Sequence, residues 1–90
     1  MEYEILEYEI LEEEIKSKDF TYSIKKTTSS PLKLVVFMHT TPIYAISCDL
    51  KLEIESDHIE LVNELKDLLI NDIKSGFVDR IAKKIYSEEN

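Results

Sequence analysis

Ninety residues with 19 acids against 11 Lys and Arg, a formal net charge of −8, make one domain (residues 1–90) with room for one modest core. A chain this acidic repels nucleic acid at long range, and its single glycine excludes a Gly-rich phosphate loop. One cysteine excludes an internal disulfide and suits a reducing cytoplasm, and no apolar run approaches the ~20 residues of a membrane helix.

The chain opens on a tandem repeat, EYEILEYEIL, that decays into EEEIK. Residues 1–15 hold seven glutamates and no base. Read as a helix, Met1, Ile5, Tyr8, Leu11 and Ile15 share one stripe at ~100° per residue. Read as a strand, Glu and apolar residues alternate, but Ile5-Leu6 and Ile10-Leu11 break the phase and require a bulge. No turn residue interrupts positions 1–16, and early glutamates with late lysines suit a helix dipole. A helix is the favoured reading and an acidic strand the alternative.

Residues 16–34 reverse the sign, with five lysines against Asp19. Phe20, Tyr22 and Ile24 alternate with Thr21, Ser23 and Lys25, a strand pattern; residues 26–31, KTTSSP, supply the loop. Residues 32–38 are β-branched and aromatic, a more fully buried strand. The His39-Thr-Thr-Pro42 stretch then turns the chain into residues 44–54, where apolar side chains and Cys48 fall on every even position. These three strands form an antiparallel meander.

The last third is helical. Asp57 and Glu60 make an Asp variant of the capping box. Leu61, Leu65, Leu68, Leu69, Ile73 and Phe77, continued by Ile81 and Ile85, form an apolar stripe that can cover the sheet. Gly76 is the place where one helix would end and a second begin. The expected fold class is α+β: N-terminal helix or acidic strand, three-stranded meander, C-terminal helix or helix pair packed on the sheet.

Candidate chemistry is thin. His39, His58 and Cys48 lack the short-spaced pairs of a zinc site, and Cys48 on an apolar strand face reads as a small hydrophobe. Tyr22 and Tyr44 read as packing residues. Surface carboxylates need burial to acquire a catalytic pKa, so no enzyme, no cofactor and no metal are expected. Fixed anions a few ångströms apart have another use, because they resemble the phosphate spacing of nucleic acid and fit a basic groove. The competing expectation is a self-associating structural or adaptor module, a possible homodimer pairing through an edge strand at residues 20–25.

The run Glu14-Ile-Lys-Ser-Lys-Asp-Phe-Thr21, together with Tyr44-Ala-Ile-Ser47, resembles the corresponding segments of a family of small acidic phage anti-CRISPR proteins that inhibit a type II CRISPR effector nuclease. The likeness extends in layout over roughly residues 10–60. It implies a non-enzymatic inhibitor that occupies the site for the DNA's short flanking motif, with carboxylates in place of phosphates, and it assigns Asp19 a partner-binding role. The family's acidic, Gly-containing hairpin turn is replaced here by His39-Thr-Thr-Pro-Ile43, which has no acid. The expected contacts are therefore Glu9, Glu12, Glu13, Glu14, Asp19, Glu53, Glu55 and Asp57, and the expected partner is a basic nucleic-acid-binding protein. Direct nucleic-acid and membrane binding are not expected.

Overall fold

The computed structural model describes residues 7–28, 32–48 and 55–88, with the side chains at positions 48, 55–58 and 88 excepted. Four strands, β1 (Tyr8–Lys16), β2 (Thr21–Thr27), β3 (Leu32–Met38) and β4 (Thr41–Cys48), precede two helices, α1 (Glu55–Lys74) and α2 (Phe77–Glu88). The strands form one antiparallel sheet in the order β1-β2-β3-β4, so the α+β class stands with one strand more than expected.

The acidic repeat is where the expectation fails. Residues 8–16 are strand, not helix, and the bulged alternative is the one observed. The register against β2 slips between Ile10 and Glu12 and again between Glu12 and Ile15, each time with one extra residue on β1. The first slip falls at Ile10-Leu11, where the alternation breaks phase. Each bulge resets the phase, so Ile10 is exposed while Leu11 and Ile15 pack on the core. Helix and bulged strand bury the same two residues here, which is why periodicity alone favours neither. What decides is the neighbour: β2 is rich in lysine, and pairing sets Glu9 opposite Lys26 and Ile10 opposite Lys25. Opposite charges across a ladder stabilise it by roughly 0.2–1 kcal/mol per pair, and β1 gains ladder hydrogen bonds to β2 along its inner side.

The remaining strands follow the alternation. Tyr22 and Ile24 of β2, and Leu34, Val36 and Met38 of β3, point into the core. On β4, Ile43 is buried and Tyr44 and Ile46 are half-buried, while Ala45 and Ser47 are exposed. The alternation expected to Ile54 is seen as far as residue 47, and residues 49–54 lie outside the described residues. The turn between β3 and β4 is where it was expected but shorter, His39-Thr40 rather than residues 39–42, with β4 starting at Thr41 and His39 in the left-handed region at φ 58°. Pro42 lies in β4, which tolerates a residue without an N–H because it is an edge strand. Residues 20–25, expected to be an edge, lie mostly in β2, which is paired on both sides.

Both helices pack on the sheet, α1 across β1, β2 and β3, and α2 against β4. Leu69 and Ile73 of α1 and Val78 and Ala82 of α2 are fully buried. A side chain the size of Leu, Ile or Val contributes about 1.5–3 kcal/mol when so buried. The expected stripe is shifted in two places. Leu68 turns outward at 59% exposure, and the deepest positions of α2 are Val78 and Ala82 rather than Phe77, Ile81 and Ile85. The helix begins at Glu55, two residues before the expected cap at Asp57. Gly76, at φ 90°, separates α1 from α2 as expected, and its amide donates to the Ile73 carbonyl. Among the described residues no helix is long and apolar enough to cross a membrane.

Candidate functional site

Glu9, Glu12, Glu13 and Glu14 stand along β1, an outer strand of the sheet. A strand rises ~3.3 Å per residue and its side chains alternate between faces, so carboxylates on one face recur every ~6.6 Å where the alternation is regular. The edge is not a bare row of anions. Glu9 meets Lys26 at 3.1 Å, Glu12 meets Lys66 of α1 at 3.5 Å, and Glu14 meets Lys16 at 3.9 Å. Both partners of the Lys16–Glu14 pair are exposed, so it contributes between zero and about 1 kcal/mol, whereas Lys26 and Lys66, at 19% and 23% exposed, are partly shielded from solvent in theirs. Glu13 is exposed and enters no ion pair among the described residues.

Asp19 lies just beyond β1, in the turn Ser17-Lys18-Asp19-Phe20. The turn is closed by the Ser17 amide donating to the Phe20 carbonyl at 2.9 Å and by the Phe20 amide donating to Ser17 Oγ at 3.1 Å. The Asp19 carboxylate is held by Lys83 of α2 at 2.7 Å, and this hydrogen bond raises the Lys83 pKa. Asp19 therefore sits beside the acidic edge while being tied to α2. Of the other expected contacts, Glu53 lies outside the described residues. Glu55 and Asp57 fall in the first turn of α1, with side chains outside the described set.

A buried carboxylate that sequence reasoning missed anchors this turn. Asp79 of α2 is only 4% exposed, and it accepts hydrogen bonds from Ser17 Oγ at 2.6 Å, from the Tyr22 hydroxyl at 2.5 Å and from the Asp19 amide. Burial by itself would raise its pKa. The three donors and the nearby Lys83 charge outweigh burial and hold Asp79 below the usual carboxylate value. Burial, and then the Asp79 acceptor, push the Tyr22 hydroxyl well above its ordinary pKa. An acid in the first turn of a helix reads as a partner of the helix dipole, so only its place on the helix circumference, next to Val78 and Ala82, could have flagged it. The expectation that Tyr22 and Tyr44 pack is met: Tyr22 is buried, and Tyr44 stacks edge-on against Phe77 at 5.6 Å.

Two shallow depressions flank the turn. One, of about 410 Å³, is lined by Phe20, Met38, Lys83, Tyr86 and Ser87. The other, of about 440 Å³, is bordered by residues 16–21 with Met38 and His39. Both are open, and a flat protein surface fits them better than a small molecule, which needs enclosure on most sides. Among the described residues no three His, Cys, Asp or Glu side chains come together as metal ligands would. Asp79 is the buried carboxylate here, and its tight hydrogen bonds and low pKa suit anchoring rather than proton transfer near neutrality. Comparison with known proteins finds no family model, no curated protein and no solved structure that matches the chain.

Proposed function

We propose that the chain is a small, non-enzymatic inhibitor that docks the acidic β1 edge onto a basic groove of a nucleic-acid-binding protein. Glu9, Glu12, Glu13 and Glu14 take the place of phosphates, and Asp19 extends the row around the turn. The observation that carries this reading is the concentration of four glutamates on one edge strand. Glu13 is unpaired among the described residues and Glu14 is held only by the exposed Lys16, so these two carboxylates are the readiest to meet a partner's Lys or Arg. A type II CRISPR effector nuclease, the target implied by the resemblance at residues 14–21, is the first partner to test. Glu53, Glu55 and Asp57 are further proposed contacts, and the cytoplasm, where such a partner acts, is the proposed location.

The test is binding to the purified, guide-loaded nuclease at low and high salt, with and without competing DNA. The native chain is expected to bind at low salt and to be displaced by DNA carrying the flanking motif. Glu12→Lys/Glu13→Lys/Glu14→Lys is expected to lose binding while keeping its circular dichroism spectrum. Binding that survives both the triple reversal and excess DNA would overturn the proposal.

A further inference from the structure

The two edges of the sheet are built in opposite ways. β1 carries four glutamates and two bulges, both of which discourage another strand from adding to it. β4 reads TPIYAISC, eight residues without a charged side chain. Its one irregularity lies near the turn, where the register slips by one residue at Ile43. From Tyr44 to Cys48 it pairs regularly with Val36 through Leu32. The outer edge of β4 has no strand partner among the described residues, and Ala45 and Ser47 beside it are exposed. An uncharged, regular, β-prone edge is a template for another strand.

We propose that this edge pairs with β4 of a second copy, antiparallel, to form a two-fold dimer with one continuous sheet of eight strands. Charge placement selects this occupant. Each chain carries a net −8, so self-association needs an interface from which the acids are removed. β4 itself carries no acid, and the four glutamates of β1 lie three strands away, ~14 Å at ~4.8 Å per strand, beyond the ~8 Å screening length of physiological salt. In the dimer the two acidic edges become the outermost strands and face away from each other. The alternatives are worse. Two β1 edges would set glutamates against glutamates, and pairing β1 with β4 of the next copy would grow an open filament through two bulges. The β4 pairing is isologous and closes at two copies. It leaves both β1 surfaces free, so it does not depend on the function proposed for them.

The test is the mass of the full chain by sedimentation over a concentration series, at low and high salt. The expected result is twice the 10.5 kDa of one chain, little changed by salt. Ala45→Lys/Ser47→Lys and Ala45→Glu/Ser47→Glu, which alter exposed side chains only, are each expected to give a monomer with the native circular dichroism spectrum. Glu12→Lys/Glu13→Lys/Glu14→Lys is expected to leave the dimer intact, which separates this interface from partner binding at β1. A second readout needs no variant. In the dimer every amide from Tyr44 to Cys48 is slow to exchange with solvent, whereas a single sheet edge protects only alternate ones. A native chain that stays monomeric, a dimer that survives both β4 variants, or protection at alternate amides only would each overturn the proposal.

Discussion

The Tyr22 hydroxyl donates a 2.5 Å hydrogen bond to the Asp79 carboxylate, joining β2 to α2 across 57 positions of sequence. Ser17 reaches the same carboxylate at 2.6 Å, so the turn that follows the acidic strand is fastened to the second helix. Both donors lose their shared acceptor when Asp79 is removed. Asp79→Ala is expected to destabilise the fold by roughly 1–3 kcal/mol for each buried group left unpaired, and Tyr22→Phe by about 1.5–3 kcal/mol, the range for a hydrogen bond to a charged group. Urea unfolding measures both, and an unchanged midpoint in Asp79→Ala would show that the latch contributes nothing.

The same pair contributes to the pH dependence of stability at both ends of the range. Asp79 has a folded pKa below its ordinary 3.8, so its contribution to stability is present above that value and is lost as pH falls through the folded pKa. Tyr22 has a folded pKa raised above its ordinary 10.0, so its contribution is intact below pH 10 and declines as pH rises beyond it. Melting temperatures taken across both limits should fall at each end. Asp79→Asn should flatten the acid limb relative to native, and Tyr22→Phe the alkaline limb. Limbs of native steepness in both variants would assign the pH response to other groups.

Gly76 tests backbone geometry separately from packing. It sits at φ 90°, and a Cβ added there would meet no atom within 4 Å. Gly76→Ala is therefore expected to cost about 1–2 kcal/mol through the left-handed conformation alone, and Gly76→Asn less. Denaturant midpoints of the two variants rank the costs, and an alanine variant as stable as native would mean that the helix junction rearranges freely.

Asp19 has two possible employers, the partner and Lys83. If its carboxylate contacts the partner, Asp19→Ala should weaken binding while Lys83→Ala, which releases Asp19, should not. If the pair serves only to hold α2, the two variants should behave alike in both binding and unfolding. Titration calorimetry with the guide-loaded nuclease, beside unfolding curves, separates the cases.

Lys66 is paired with Glu12 at 3.5 Å, and under the proposed function a partner's cation would have to displace it. Lys66→Ala is expected to change stability by less than about 1 kcal/mol and to tighten binding to a basic partner at low salt. Weaker binding in this variant would mean that Lys66 orients Glu12 rather than competing for it.

Much of this architecture could be read from residue order. Alternation placed the strands at 20–25, 32–38 and from 44 onward, and a lone glycine placed the helix junction, because each of these signals is local. The first strand reads as a helix, and wrongly, for a physical reason. A helix and a twice-bulged strand bury the same Leu11 and Ile15, and the lysines that favour the strand sit more than ten residues away on β2. The proposed contacts divide in the same way. Composition marked Glu9, Glu12, Glu13 and Glu14, whereas their cis partners Lys26 and Lys66 emerge only once the chain is folded.

The sequence by itself determined an acidic α+β domain whose charges come in blocks, and where its alternating strands and helix break lie, since hydrophobic period and glycine placement act within a few residues. Tertiary structure alone decided that the acidic block becomes an edge strand and that Asp79 becomes the buried anchor of a turn 62 residues away. Both depend on pairing and burial between distant segments, and the free energy of those contacts is set by what the fold brings alongside.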